Sequence, residues 1–169
     1  FILLLTCSCA PRETVLPTTA PITPAPRQAK VALVLGAGAA RGFAHIGVLK
    51  VMEANKVPIH MIIGTSAGSF VGSLSAYGFN AFQLQKMALS VEKGDVIDYT
   101  IPDNGFIKGD KLEEYLNNIF KNTPIEKFRI PFYAVATSLP SGQEVVFGQG
   151  NAGKAVRASC SIPGIFRPA

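Results

Sequence analysis

The sequence predicts an α/β domain with a mostly parallel sheet and helices on both faces. Three observations carry that expectation. Strand-like and helix-like segments alternate from Lys30 onward, the first strands are continuous apolar runs, and each is followed by a glycine-containing turn. Strands covered on both faces lose the in–out alternation of a half-exposed sheet, and the crossover helices provide the cover. With 169 residues, 48% of them hydrophobic, the chain holds one domain with a real core and not two.

The elements follow in order. Lys30–Leu35 is a β-rich apolar run, and residues 36–42 form a glycine loop. Over Phe43–Asn55, apolar Phe43, Ile46, Leu49 and Val51 with outward Lys50 and Glu53 suit an amphipathic helix. Ile59–Ile63 reads as the second strand, and Ser66–Tyr77 as a helix of small residues. A further helix is expected over Ala81–Val91, irregular chain over 93–108, and an amphipathic helix over Lys111–Phe120 capped by Asp110. Phe132–Ser138 reads as a strand, Pro140-Ser141-Gly142 as a hairpin turn into Glu144–Phe147, and Asn151–Ser159 as a short helix.

Ahead of this domain (residues 30–169) stand two segments of different character. Residues 1–9 open on the apolar run Phe1–Leu5, which looks like the tail of a secretory signal and is too short to span a bilayer. A cysteine after small residues resembles a bacterial lipoprotein processing site. Cys9 fits better than Cys7, because Ser8 before it is smaller than Thr6, although Leu4 suits the third position before Cys7. An ordinary cleaved signal with incidental cysteines is the alternative. Residues 10–29 hold five prolines among Thr and Ala, a composition that stays extended and works as a tether. Together these segments lead to the expectation of a protein of the bacterial cell envelope, exported and held to the membrane surface through an N-terminal lipid anchor.

Charge narrows the partners. The net charge is +5, but the lysines and arginines are scattered. That excludes the clustered patch nucleic acid needs and leaves a surface with affinity for anionic lipid. No Cys/His spacing suits a zinc site, and no metal or organic cofactor is implied. Cys160, in a small-residue helix, reads as a buried apolar residue.

Chemistry concentrates in two turns. Gly64-Thr65-Ser66-Ala67-Gly68 lies between a strand and a helix, with glycine two places either side of the serine, the nucleophile-elbow pattern. The turn leaves no room for flanking Cβ atoms, and the serine is forced into a sparsely populated conformation that presents its hydroxyl. The bland alternative is a tight turn with an ordinary serine. The second turn, Gly36-Ala37-Gly38-Ala39-Ala40-Arg41-Gly42, does not make a dinucleotide loop. Its third glycine falls one position late, no acidic residue ends the second strand, and the Gly-Lys-Ser/Thr of a phosphate loop is absent. It suits an oxyanion hole, with the amides around Gly36, Ala37, Gly38 and Ala39 as donors worth about 3–4 kcal/mol each. Parallel strands bring their C-terminal loops together, so this loop should lie beside the elbow. Arg41 suits either an anionic head group or a structural ion pair.

These blocks resemble the patatin-like phospholipase family, and more closely its bacterial branch related to neuropathy target esterase. The resemblance rests on Gly-x-Gly-x-x-Arg-Gly, Phe43–Leu49, Gly-Thr-Ser-Ala-Gly, Ala136–Leu139 with Gly142, and Ala155–Pro168, in the family's order over residues 30–169. It implies a three-layer α/β/α fold, a lipid or acyl-ester substrate, and a Ser–Asp dyad acting through an acyl-enzyme. Ser66 matches the nucleophile. Gly36 and Gly38 match the oxyanion loop, with Ala37 where many members have glycine, which is tolerable only at negative φ. The dyad aspartate belongs to an Asp-Gly motif after the Pro-Gly-x-Phe-x-Pro segment. No Asp-Gly dipeptide occurs in the sequence, and Asp95, Asp98, Asp103 and Asp110 all precede that point. The sequence is therefore expected to be C-terminally truncated and inactive by itself. The family plan has no catalytic histidine, so His45 and His60 read as structural. The apolar stretches 70–91 and 106–120 suit an acyl groove or plain core. The competing function class is a non-catalytic lipid-binding or scaffold protein on the same fold.

Overall fold

The computed structural model describes residues 29–100 and 106–169. Cys7, Cys9, the tether up to residue 28 and Asp103 lie outside the described residues. Four strands, β1 (Ala32–Leu35), β2 (Met61–Thr65), β3 (Phe132–Thr137) and β4 (Glu144–Phe147), form one sheet in the order β1-β2-β3-β4. The first three are parallel and β4 returns antiparallel through the turn at Gly142, whose φ is +67°. Six helices accompany them: α1 (Phe43–Ala54), α2 (Ala67–Tyr77), α3 (Ala81–Ser90), α4 (Lys93–Val96), α5 (Asp110–Phe120) and α6 (Ala152–Cys160).

The mostly parallel α/β class expected from the sequence is what the chain forms. Strands in the order β1-β2-β3 joined by right-handed crossovers put their connecting helices on the same side. That side carries Leu35, Ile62, Phe132 and Ala134, all at most 3% exposed. On the other side Val34 is 68% and Val146 50% exposed.

Small residues let α2 lie almost in contact with the sheet. A Cβ on Gly72 would come within 2.9 Å of the Ile62 Cγ2 atom. Beneath α2 an aromatic cluster of Tyr77, Phe120, Phe128 and Phe132 fills the core, with ring centroids 5.0–6.2 Å apart. Leu74, Leu84, Leu112 and Leu116 are buried in the same core, whereas Phe82, Leu89 and Phe106 of the stretches 70–91 and 106–120 are exposed. The buried Ser73 satisfies its hydroxyl by donating to the Phe70 carbonyl at 2.8 Å.

Strand β2 starts and ends two residues later than the apolar run suggested, because Gly64 and Thr65 pair with Ala134 and Val135 of β3. The segment expected to be irregular contains α4 and the bridges Tyr99–Ile107 and Ile107–Phe166. Helix caps mostly follow sequence rules. Asn80 and Gln83 make a capping box at α3, and Asn151 accepts from the Lys154 amide at 2.7 Å at α6.

The cap of α5 differs from expectation. Asp110 is the first helical residue and pairs at 2.7 Å with Arg157. The Asp98 carboxylate takes the amides of Gly109, Asp110 and Lys111 at 2.7, 3.0 and 3.3 Å. A carboxylate reaching in from a distant loop cannot be found from the local pattern. Asp98→Ala should therefore cost about 1–2 kcal/mol in chemical denaturation. Asp110→Ala should cost under about 1 kcal/mol, as loss of a largely exposed ion pair.

Candidate active site

Ser66 sits between the end of β2 and the first residue of α2, with φ +52° and ψ −121°. A serine at positive φ is strained by about 1–3 kcal/mol and persists only where its surroundings fix it. Its surroundings do so on both sides. The Ser66 amide donates to the Ser159 hydroxyl at 2.8 Å, and that hydroxyl donates to the Val135 carbonyl at 2.5 Å. The Ser66 carbonyl accepts from the Ser69 amide at 2.8 Å, the Phe70 amide at 3.0 Å and the Ser69 hydroxyl at 2.7 Å. Ser159, which ties the elbow to β3, stands 93 positions from Ser66 and 24 from Val135, and no local pattern in the sequence announces either bond.

The elbow glycines are required by close approach, not by positive φ. A Cβ on Gly64 would lie 2.5 Å from the Gly68 carbonyl oxygen and the Ser69 Cα. A Cβ on Gly68 would overlap the Leu35 carbonyl and lie 2.7 Å from the Gly36 oxygen. Thr65 closes β2 and Ala67 opens α2, with a Cβ that would sit 2.5 Å from any side chain added at Gly42. The glycine loop thus meets the elbow at two points.

Within the loop, Ala39–Gly42 makes a single 3-10 turn leading directly into α1. Ala37 is absent from the positive-φ residues, as its methyl demanded, whereas Ala39 takes φ +46°. Arg41 donates its amide to the Gly38 carbonyl at 2.9 Å. Among the described residues the amides of Ala37, Gly38 and Ala39 donate to no group. Unpartnered donors at a helix entry are what an anionic oxygen needs. The exposed Arg41 guanidinium makes no ion pair among the described residues, so the structural ion-pair alternative finds no partner there.

The histidines lie apart. His60 precedes β2, at the end of the sheet away from the elbow, and its Nδ1 accepts from the Val31 amide at 3.0 Å. His45, on the first turn of α1, donates from Nε2 to the Gly36 carbonyl at 2.8 Å. The carboxylates are engaged elsewhere: Asp95 accepts from the Glu92 amide, Asp98 caps α5, and Asp110 pairs with Arg157. Among the described residues no cluster of His, Cys, Asp and Glu could hold a metal ion, and no helix is long and apolar enough to cross a membrane.

A family model for the patatin-like phospholipases matches residues 33–169, the span that carries both turns. The chain belongs to the patatin-like phospholipase family. A patatin-like phospholipase domain-containing protein of Mus musculus is 34% identical over 144 residues, 82% of this chain and 11% of that protein. An NTE family protein of Mycobacterium tuberculosis is 36% identical over 142 residues, 82% of this chain and 39% of its own length. A lysophospholipase of Pyricularia oryzae is 36% identical over 146 residues, 82% of this chain and 10% of that protein. The chain thus spans between a tenth and two fifths of these relatives. The solved structure of the type III effector ExoU superposes with a TM-score of 0.61 over 80% of this chain and 40% of that one, at 16% identity. That likeness concerns the fold.

Cys160 ends α6 beside the elbow of this patatin-like domain, its sulfur 4.0 Å from the Ser69 hydroxyl. Burial pushes its thiol up to about 11 from 9.0, against smaller opposing effects of hydrogen bonds from Ser69 and Ser66. The thiol therefore stays protonated in the folded state where the unfolded state would release its proton. The stability this contributes is complete below pH 9.0 and is lost as pH rises through about 11. Site-resolved iodoacetamide alkylation should run about 100-fold slower at Cys160 in the folded chain than in the denatured chain near pH 8. It should accelerate about tenfold per pH unit toward the folded value.

Proposed function

We propose that this domain hydrolyses lipid acyl esters through an acyl-enzyme on Ser66. The observation that carries the proposal is the pairing of a serine held at φ +52° with a neighbouring loop whose amides have no partner. In the first half-reaction the Ser66 hydroxyl loses its proton to an aspartate and attacks the ester carbonyl. The resulting oxyanion is held by the amides of Ala37, Gly38 and Ala39, and the alcohol leaves with the proton. In the second half-reaction the same aspartate takes a proton from water, the hydroxide attacks the acyl-serine, and the fatty acid departs as the aspartate returns that proton to the Ser66 oxygen. The two relatives named as phospholipase and lysophospholipase support this substrate class. The exposed Arg41 beside the loop suits an anionic head group.

The aspartate is proposed to lie in an Asp-Gly motif that the 169 residues do not include, and these residues alone should then turn esters over slowly or not at all. With a chain extended past Ala169 to include that motif, p-nitrophenyl ester turnover should fall at least about 1,000-fold on Ser66→Ala. Fluorophosphonate should label Ser66 in the parent. Equal turnover by the two proteins would defeat the assignment of Ser66. Absence of labelling under all conditions would favour a lipid-binding scaffold.

We further propose that a lipid on Cys9 holds the protein at the envelope membrane, with the Pro-rich segment as tether. The intact mass of the mature N-terminus checks this. It should begin at a diacylated Cys9, and an unmodified cysteine or a cut elsewhere removes the anchor.

A further inference from the structure

We propose that His45 is a positioning residue for the oxyanion loop, holding the Gly36–Ala37 peptide so that the Ala37 amide stays open to the reacting carbonyl. The inference rests on the function proposed above and assigns a role to a side chain that function leaves unused. Its Nε2 donates to the Gly36 carbonyl at 2.8 Å, and because a carbonyl only accepts, the proton is on Nε2. The same carbonyl oxygen lies against Gly68, where a Cβ would come within 2.7 Å of it. The oxygen is therefore held by a donor and by the closely packed helix start together.

A planar trans peptide carries the consequence across. Its C=O and N–H point in opposite directions, so an anchored Gly36 oxygen also fixes the direction of the Ala37 N–H. That N–H finds no acceptor among the described residues. Without the imidazole, the Gly36 oxygen keeps only its packing against Gly68, and a glycine at 36 permits the backbone angles that a rotated peptide needs. A flipped peptide would turn a carbonyl toward the developing negative charge in place of a donor. His45 is well placed for the task because it stands on α1, a regular helix tied to α3 by the Glu53 carboxylate, which accepts from the Ala81 amide at 2.9 Å.

The test uses His45→Phe, which keeps a ring and removes the donor, and His45→Gln, whose side-chain amide restores a donor at similar reach. In the chain extended past Ala169, His45→Phe should lower kcat about 10- to 100-fold with KM within about twofold, since an oxyanion donor acts in the transition state. His45→Gln should recover most of that loss. In 15N spectra of the 169-residue chain, the Ala37 and Gly38 amides should shift in His45→Phe and return toward parental positions in His45→Gln. Parental kcat in His45→Phe overturns the role, as does an unmoved pair of amides. Equal loss in both variants with unmoved amides marks general packing and overturns it too. If Ser66→Ala matches the parent in turnover, the proposed reaction fails instead, and the amide spectra still decide whether His45 sets the loop.

Discussion

The start of α2 presses against the end of β1, and most of the site follows from that contact. No side chain at all can be accommodated at Gly68, because the Leu35 carbonyl already occupies the space a Cβ would fill. The approach brings the loop after β1 and the turn after β2 into one neighbourhood, which their sequence positions alone would not do. It also explains why glycine, alanine and serine fill seven of the eleven positions of α2 where an ordinary core helix carries leucine and isoleucine. Larger side chains would raise the helix off the sheet and separate the two turns. The bulk that the small residues of α2 lack is supplied at its C-terminal end by Tyr77 and around it by Phe120, Phe128 and Phe132.

Among the described residues, five that are not glycine adopt positive φ, and two of them stand in these turns while Lys56, Lys121 and Asn122 follow helix ends. Ser66 and Ala39 both adopt positive φ without being glycine, one in each turn. Such conformations persist only when neighbouring contacts outweigh them. At Ser66 those contacts are countable: its amide is taken by Ser159, and its carbonyl by the Ser69 and Phe70 amides. At Ala39 the 3-10 turn and the packing of Gly42 on Ala67 hold the chain on the far side of the strained residue. The strain is local, and the regular elements around it are unremarkable.

How much of this was legible in the sequence depended on range. The alternation of strands and helices was, because apolar runs and helical spacing are properties of neighbouring residues, and the hairpin at Gly142 was announced by its own turn residues. The elbow and the loop were legible because their glycines are close in sequence to the chemistry they permit. Asp98 was not, since the residue it caps is more than ten positions away and Asp110 offered a plausible local substitute. Ser159 and Cys160 reach the elbow only through the fold, and nothing in a helix of small residues distinguishes a hydroxyl that bridges two strands' worth of backbone from one that faces solvent. His45 stood in the right segment, but a histidine on a helix gives no sign of which carbonyl it will meet.

The Ser159 bridge has a consequence for how such a site can change. It takes the Ser66 amide, so that donor is already spent inside the fold. In the reaction proposed above, nucleophile and charge stabilisation fall on separate crossovers, the one after β2 and the one after β1. Drift in the first alters the reactivity of a hydroxyl, and drift in the second alters the affinity for a negative oxygen, with little interference between them. A lineage built this way is free to exchange one substrate for another by rewriting the loop between Gly36 and Gly42, while the strained serine, its bridge and the core beneath it pass on unaltered.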